Sequence, residues 1–521
     1  MNEFNARSSK VTTLWPDPST IDGISPHQRE KLSTALSGPV ALLLGGPGTG
    51  KTYTAAAVLK AIAAQHGSAN LAVAAPTGKA AVRITAAMQA AGLDMAHDAT
   101  TIHRLLAVGR NGHDGKGWGF QRNAANPIPQ RFIAVDEVSM LDTDLAASLF
   151  AACAPGTHIL LIGDPGQLPP VGHGAPLRDL IASGKVGCGE LTEIRRNAGD
   201  IVTACASIRA GRSFRPSPFI NTSAGANLLH IETRHSSITW QRLERLLRSC
   251  PASIDPVWDV QVMVAVNEKS DLSRVELNKR LQGLLNSGGE RVVGGHKFRV
   301  GDKVICLSNS MLSLAGEVVE AGFNTWAGTQ GAAAIDNGSH PGKPMPATDA
   351  ALTDFVANGE IGRVLSVEPK KMLVKFDSPA RTVKVVGEFL SVFDHAFAIT
   401  VHKAQGSQSK VAIYVSDDYM GARHVCSREL IYTAISRAEK MAVTIGRKAV
   451  IDQDCRKEAL SRRKTFLKEL LCVAVANQGQ LPSDSPQSSS SDHQANAGSG
   501  PERLTGTAMA AWAPAVAATD S

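Results

Sequence analysis

Apolar-dominated runs, rather than alternating ones, recur along the chain at 40–44, 71–75, 131–135, 158–162, 260–266, 411–415 and 442–445. Runs of this length and continuity are expected of strands buried on both faces, as in a parallel sheet covered by helices. Helix signals fill the intervals. Ser25, Pro26 and Gln28 stand at the N-cap, first and third positions of a helix that carries Leu32, and Ala55, Ala56, Ala57, Leu59 and Lys60 follow the first run. Strand alternating with helix predicts an α/β chain with two parallel sheets, one before and one after residue 188.

Several stretches break that rhythm. Residues 107–130 contain Asn111-Gly112 with Trp118 and Phe120, which reads as a β-hairpin insertion whose aromatics either stack on bases or form a minor structural cluster. Short strands with turn residues at 299–307, 358–365 and 372–376 predict a small β-rich insertion over 298–392. Inside it, the Gly-, Ala- and Pro-rich residues 310–357 read as a disordered or extended loop. Residues 456–471 read as a basic amphipathic helix with Leu460, Phe466, Leu467, Leu470 and Leu471 on its apolar face. Polar starts and ends at 1–23 and 475–521 read as a flexible N-terminus and a disordered tail.

The ends of the apolar runs carry the chemistry. Gly45-Gly46-Pro47-Gly48-Thr49-Gly50-Lys51-Thr52 joins the first run to a helix, the strand–loop–helix context of a P-loop. Its glycines let backbone N–H groups face phosphates, Lys51 neutralises charge, and the Thr52 hydroxyl suits Mg²⁺. ATP and Mg²⁺ are the implied ligands. The run at 131–135 ends in Asp136-Glu137, one carboxylate for Mg²⁺ held largely through water and one to polarise the attacking water. Gln167, after the run at 158–162, is suited to touch the γ-phosphate. Gln28 has two readings, a capping box with Ser25 or a reader of the adenine edge, and its position just upstream of the P-loop strand favours the reader. Pro76, Thr77, Gly78 and Lys79 lie at the carboxyl edge of the second run, where ligands bind open α/β sheets, and suit a nucleic-acid phosphate. Thr101 and His103 stand at a similar strand-to-helix step, and Thr400, His402 and Gln405 offer hydroxyl, imidazole and amide groups in the second half. Arg437, and Arg196 with it, could reach across the cleft to the transferring phosphoryl group.

Composition narrows the setting. The 521 residues are 43% hydrophobic, enough for several cores, and 54 Lys and Arg against 47 Asp and Glu tilt the partner toward a polyanion. The eight cysteines form no C-x-x-C pair, which disfavours a zinc ribbon or disulfide framework and fits a cytoplasmic setting. No window approaches the roughly 20 apolar residues of a membrane span.

In order, Gly45 to Thr52, Ala75-Pro-Thr-Gly-Lys-Ala-Ala81, Thr101-Ile-His-Arg-Leu105, Val135-Asp-Glu-Val-Ser-Met140 and Gly163-Asp-Pro-Gly-Gln-Leu-Pro-Pro170 resemble motifs I, Ia, Ic, II and III of the RecD-like branch of superfamily-one helicases. Leu191-Thr-Glu-Ile-Arg-Arg196 resembles the motif whose arginine reaches the nucleotide, with Arg195 where that family usually has an aromatic. The stretch from His395 to Gln408 is similar to motif V and that from Leu430 to Ala438 to motif VI. The resemblance implies two RecA-like parallel-sheet domains at 24–188 and at 189–297 with 393–474. It also implies a hairpin insertion at 107–130 and a small β-barrel at 298–392. The implied activity is an ATP-dependent DNA helicase moving 5′ to 3′ on single-stranded DNA and opening tailed duplexes. The alternatives are an RNA-directed or protein-displacing translocase and a binding module that uses ATP as a clamp. Residues 310–357 and the C-terminal tail are candidate attachment points for protein partners.

Overall fold

The computed structural model describes residues 13–93, 98–110, 118–194, 199–291, 296–308, 310–315, 353–356, 358–377, 380–459, 463, 465 and 467–476. Six strands make the first sheet: β1 (Val40–Gly45), β2 (Leu71–Ala75), β3 (Thr100–Thr101), β6 (Phe132–Val135), β7 (His158–Gly163) and β8 (Gly187–Leu191). Their order is β3-β2-β6-β7-β1-β8 and every neighbouring pair is parallel. The apolar runs are buried on both faces because helices cover each side. Leu43, Leu160 and Ile162 face Leu59 and Ile62 of the Lys51–His66 helix, while Leu42, Leu161 and Val135 face Leu149 and Leu177. Each such fully buried side chain contributes about 1.5–3 kcal/mol. Parallel pairing aligns the carboxyl ends of β1, β2, β6 and β7, so the glycine loop, Thr77, Asp136 and Gln167 share one edge.

Between β3 and β6, β4 (Val108–Arg110) pairs antiparallel with β5 (Trp118–Phe120), the expected hairpin. Phe120 takes the structural-cluster reading: it is half-buried against the first core, with the His103 ring 5.9 Å away, because the hairpin leans on its own sheet. The tip, 111–117, and the Trp118 side chain lie outside the described residues.

The second sheet has the order β18-β10-β19-β20-β9, again all parallel, from β9 (Leu228–Glu232), β10 (Val260–Val264), β18 (Ala398–Thr400), β19 (Ser409–Val415) and β20 (Ala438–Gly446). Between β10 and β18 the chain makes a seven-stranded antiparallel sheet. Its strands are β11 (Lys303–Cys306), β12 (Ser310–Leu314), β13 (Thr353–Val356), β14 (Ile361–Glu368), β15 (Lys371–Asp377), β16 (Ala380–Val386) and β17 (Phe393–His395), in the order β13-β12-β16-β15-β14-β11-β17. The expected loop at 310–357 is corrected at both ends. Ser310–Leu314 and Thr353–Val356 pair with each other, and Leu312 and Val356 enter the sheet's own core. Residues 316–352 lie outside the described residues.

Both ends of the chain also differ from expectation. Within 1–23, Trp15 packs on Phe132 and donates from Nε1 to Gly38 O at 2.7 Å, so 13–23 is part of the first core. Of the amphipathic helix expected at 456–471, residues 456–459 are not helical, Leu467–Ala476 is a helix whose Leu471 enters the core of the first sheet, and 460–462, 464 and 466, with Leu460 and Phe466, lie outside the described residues. The Arg463 guanidinium donates to the carbonyls of Pro170, Gly172 and Gly174 and ties that residue to the first half. No helix among the described residues is long and apolar enough to cross a membrane.

Candidate functional site

From β1 the chain turns through Gly46, Pro47, Gly48, Thr49 and Gly50 into the Lys51–His66 helix. Gly48 and Gly50 have φ of +77° and +82°, the left-handed region where a side chain is strained. The Thr49 hydroxyl donates to Gly46 O at 2.9 Å and closes the loop on itself. Lys51 Nζ spans that loop, donating to the carbonyls of Gly45 at 2.5 Å and Gly46 at 3.1 Å, and lies 4.0 Å from Asp164. An ammonium held over a curl of N–H groups at a helix start is built for phosphate.

Beside it, Asp136 Oδ1 accepts the Glu137 N–H at 2.8 Å, while Oδ2 is buried with no hydrogen-bond partner. Burial and the neighbouring Glu137 push the Asp136 carboxyl up to about 6. Glu137 adopts φ +54°, a conformation costing a non-glycine residue about 1–3 kcal/mol. Its Oε1 lies 3.3 Å from Arg83 Nη1. Burial acts to raise the Glu137 carboxyl, but Arg83, then Arg437 and Lys51, outweigh it and hold its pKa below the usual value. Thr52 Oγ1 accepts from Arg83 Nη2 at 3.2 Å. An orphaned carboxylate oxygen near a P-loop hydroxyl is an oxygen donor set that fits a hard divalent cation.

Gln28 takes the capping-box reading. Its Oε1 accepts the Ser25 N–H at 3.0 Å and Ser25 Oγ accepts the Gln28 N–H at 3.1 Å, completing the capping box, yet Nε2 is buried without a partner.

The second half meets the first at the loop after β7. Leu168 donates its N–H to Thr433 Oγ1 at 2.9 Å, accepts from Gln405 Nε2 at 3.1 Å, and buries its side chain in the core of the second half. Tyr432 sends its hydroxyl to both Asp164 oxygens at 3.1 and 2.9 Å, and its ring lies over Gly166, where a Cβ would come within 2.8 Å. Gln167, between these anchors, places Nε2 3.4 Å from Asp164 and leaves Oε1 buried and unpartnered. Arg437 is buried and fully engaged. It donates to Thr433 O at 3.2 Å, Ser407 O at 3.3 Å and Ser436 Oγ at 3.2 Å. Burial lowers its pKa, with Arg83 adding to the shift and Glu137 opposing it. Arg196 lies outside the described residues.

The expected strand contacts divide into two groups. Thr77 caps the Gly78–Ala90 helix through the Ala80 N–H at 3.4 Å, beside half-buried Pro76 and buried Gly78. Gly406 of the second half packs against Thr77, with 3.1 Å from a built Cβ to Oγ1. Lys79 follows, its pKa lowered to about 8 by burial and partly restored by Glu360. His103 and His402 are partly buried and held below their usual pKa by that burial. Three others already bond within the protein. Thr101 caps the Ile102–Leu105 helix through Arg104 N–H at 3.3 Å, Thr400 Oγ1 accepts the Lys403 N–H at 3.4 Å, and Gln405 holds Leu168. One amide N–H of Gln405 is thus engaged at the interface between the two halves.

Sequence reasoning assigned no role to Arg83, Asp164, Leu168 or Tyr432. All four lie inside or next to recognised motifs, but their contacts are tertiary: Tyr432 meets Asp164 across 268 positions. No local pattern specifies such pairs.

Family models match the chain in two places, the AAA domain over residues 28–173 and the UvrD-like helicase C-terminal domain over 395–445. The chain is 30% identical over 428 residues to an ATP-dependent RecD2 DNA helicase of Deinococcus radiodurans, a match that covers 81% of this chain and 49% of that protein. It is 29% identical over 480 residues to the RecD subunit of the RecBCD enzyme of Mycolicibacterium smegmatis, covering 88% and 77%. The chain thus spans about half the length of the first relative. A solved Pif1 helicase from Bacteroides in complex with ADP-AlF3 and single-stranded DNA is 17% identical, with a TM-score of 0.43 over 88% of this chain and 98% of that one. With its motifs in the expected order and relatives along most of its length, the chain is similar to RecD-like helicases.

Proposed function

We propose that the protein is an ATP-dependent DNA helicase that translocates 5′ to 3′ on single-stranded DNA. The observation that carries this reading is the loop after β7. Its Gln167 reaches toward the phosphate side of the P-loop, while the next residue, Leu168, is buried in the second half and tied there by Thr433 and Gln405. A change at the phosphate end is therefore mechanically connected to movement of the other half.

In this reading the glycine loop and Lys51 bind the phosphates, Gln28 Nε2 donates to the adenine edge, and Thr52 and Asp136 hold Mg²⁺, Asp136 mainly through water. When bound, Mg²⁺ neutralises charge on the β- and γ-phosphates. Glu137 orients and polarises the attacking water. Arg437, with Arg196, neutralises charge on the transferring phosphoryl group, and for Arg437 this requires exchange of its present hydrogen bonds. Thr77, Gly78 and Lys79 with Thr400, His402 and Gly406 line the strand path, and the 107–130 hairpin meets the duplex ahead. Residues 298–392 form the barrel-like insertion of the second half.

The test is unwinding of a duplex with either a 5′ or a 3′ single-stranded tail, with Lys51→Ala as control. Opening of the 5′-tailed duplex alone, absent in the variant, is expected. Strand-stimulated turnover without unwinding of either substrate would replace the helicase with a translocase acting on RNA or bound protein, and preference for the 3′ tail would reverse the direction.

A further inference from the structure

Arg83 stands where neither the motifs nor the proposed mechanism require a cation. It projects from the Gly78–Ala90 helix and divides its guanidinium between the two halves of the hydrolysis apparatus: Nη1 is 3.3 Å from Glu137 Oε1, and Nη2 donates to Thr52 Oγ1 at 3.2 Å. Glu137 is almost wholly buried, with its side chain 6% exposed, so the pairing is not a solvated surface contact. The planar fork suits this double engagement, which a lysine could not reproduce.

Both partners are occupied in a way that opposes their work. A glutamate paired with a guanidinium is a poorer proton acceptor and is turned away from water, and a threonine hydroxyl receiving an arginine N–H is oriented for that donor rather than for a cation. Lys51 and Arg437 also face the carboxylate pair, so Arg83 is a third positive charge around Glu137. It repels a further cation entering beside Asp136. Its helix begins at Thr77, Gly78 and Lys79, which the reading above assigns to the nucleic-acid strand, and Gly406 of the second half packs on that same end. A shift of the helix start is thereby carried to Arg83 within about one and a half turns.

Resting on the helicase reading, we propose that Arg83 is a positioning residue that restrains hydrolysis by holding Glu137 and Thr52 until a strand engages the start of its helix. Arg83 sets the strand dependence of turnover without itself touching the reacting atoms.

The test compares the full-length wild type, Arg83→Ala and Arg83→Lys in two measurements. The first is ATP turnover with and without oligo-dT. The second is binding of a fluorescent non-hydrolysable ATP analogue in Mg²⁺ and in EDTA. Arg83→Ala is expected to raise strand-free turnover about tenfold, the effect of removing one charge-assisted hydrogen bond. The ratio of stimulated to strand-free rate falls accordingly, and the preference of the analogue for Mg²⁺ over EDTA grows. Arg83→Lys, keeping the charge but not the fork, falls between, and it decides the matter if the alanine variant does not fold. Strand-free turnover that is unchanged or reduced, with an unaltered Mg²⁺ preference, would overturn the proposal. If the wild type itself shows no stimulation by the strand, the helicase reading fails first and the restraint with it. If the wild type is stimulated and the variants keep its ratio, the restraint alone fails.

Discussion

Around the carboxyl ends of the first sheet, Gln28 Nε2, Asp136 Oδ2 and Gln167 Oε1 are buried without hydrogen-bond partners, whereas across the cleft Arg437, Gln405 and Thr433 are engaged. Both halves are parallel sheets flanked by helices, so architecture does not account for the contrast. A buried unpaired polar atom costs about 1–3 kcal/mol, and three within one site are tolerated where a ligand satisfies them. The second half has no P-loop, and the groups it brings to the cleft, Arg437, Gln405 and Thr433, bond to its own backbone and to the loop after β7. The first half is prepared for a ligand and the second for a change of partners.

If that division is right, removing the engaged cation should affect rate far more than binding. Arg437→Ala is expected to lower turnover by about 10³-fold or more, as for other arginines that reach a transferring phosphoryl group, while the affinity for a fluorescent ATP analogue changes little. Loss of binding in proportion to rate would make Arg437 part of the first half's ligand shell and erase the contrast. Next in size, Glu137→Gln should cost about 10²–10⁴-fold in turnover with nucleotide affinity retained, in keeping with loss of a positioned base. Equal losses in a substrate-binding assay would assign Glu137 to binding instead.

The link between the halves can be broken by packing. Leu168→Ala leaves a cavity in the second core, at a cost of about 2–5 kcal/mol. Denaturant unfolding followed by tryptophan fluorescence should move to lower denaturant, while analogue binding at the P-loop persists and strand stimulation of turnover is lost. The smallest effect concerns the strand path. Lys79, lowered to about 8 by burial, is charged below that pH and neutral above it in the free protein. Oligo-dT affinity should weaken as pH rises through about 8, and the slope of log affinity against log salt should flatten by about 0.7, the share of one neutralised phosphate on a single strand. Lys79→Ala should remove that pH dependence.

The sequence made the first half more legible than the second. Residues 45–52 and Asp136-Glu137 carry their chemistry in a few consecutive positions, and the continuous apolar runs before them specify the strands. The Leu168 plug, the Tyr432–Asp164 contact and the Arg83 fork depend on residues brought together from distant parts of the chain. The 310–357 stretch misled for another reason. Its flanking strands, Ser310–Leu314 and Thr353–Val356, are short and are separated by Gly- and Ala-rich residues, and their apolar faces have meaning only once the pairing buries Leu312 and Val356. Gln405 suits a strand contact by residue type; its hydrogen bond to Leu168 is a property of the interface.

On the proposed function, phosphate chemistry in the first half is coupled to the strand through the second. The most direct test of that coupling is steady-state ATP turnover by the wild-type protein titrated with oligo-dT. Turnover should be low without the strand and rise to saturation with it; nucleotide binding accompanied by a rate indifferent to the strand would contradict the coupling.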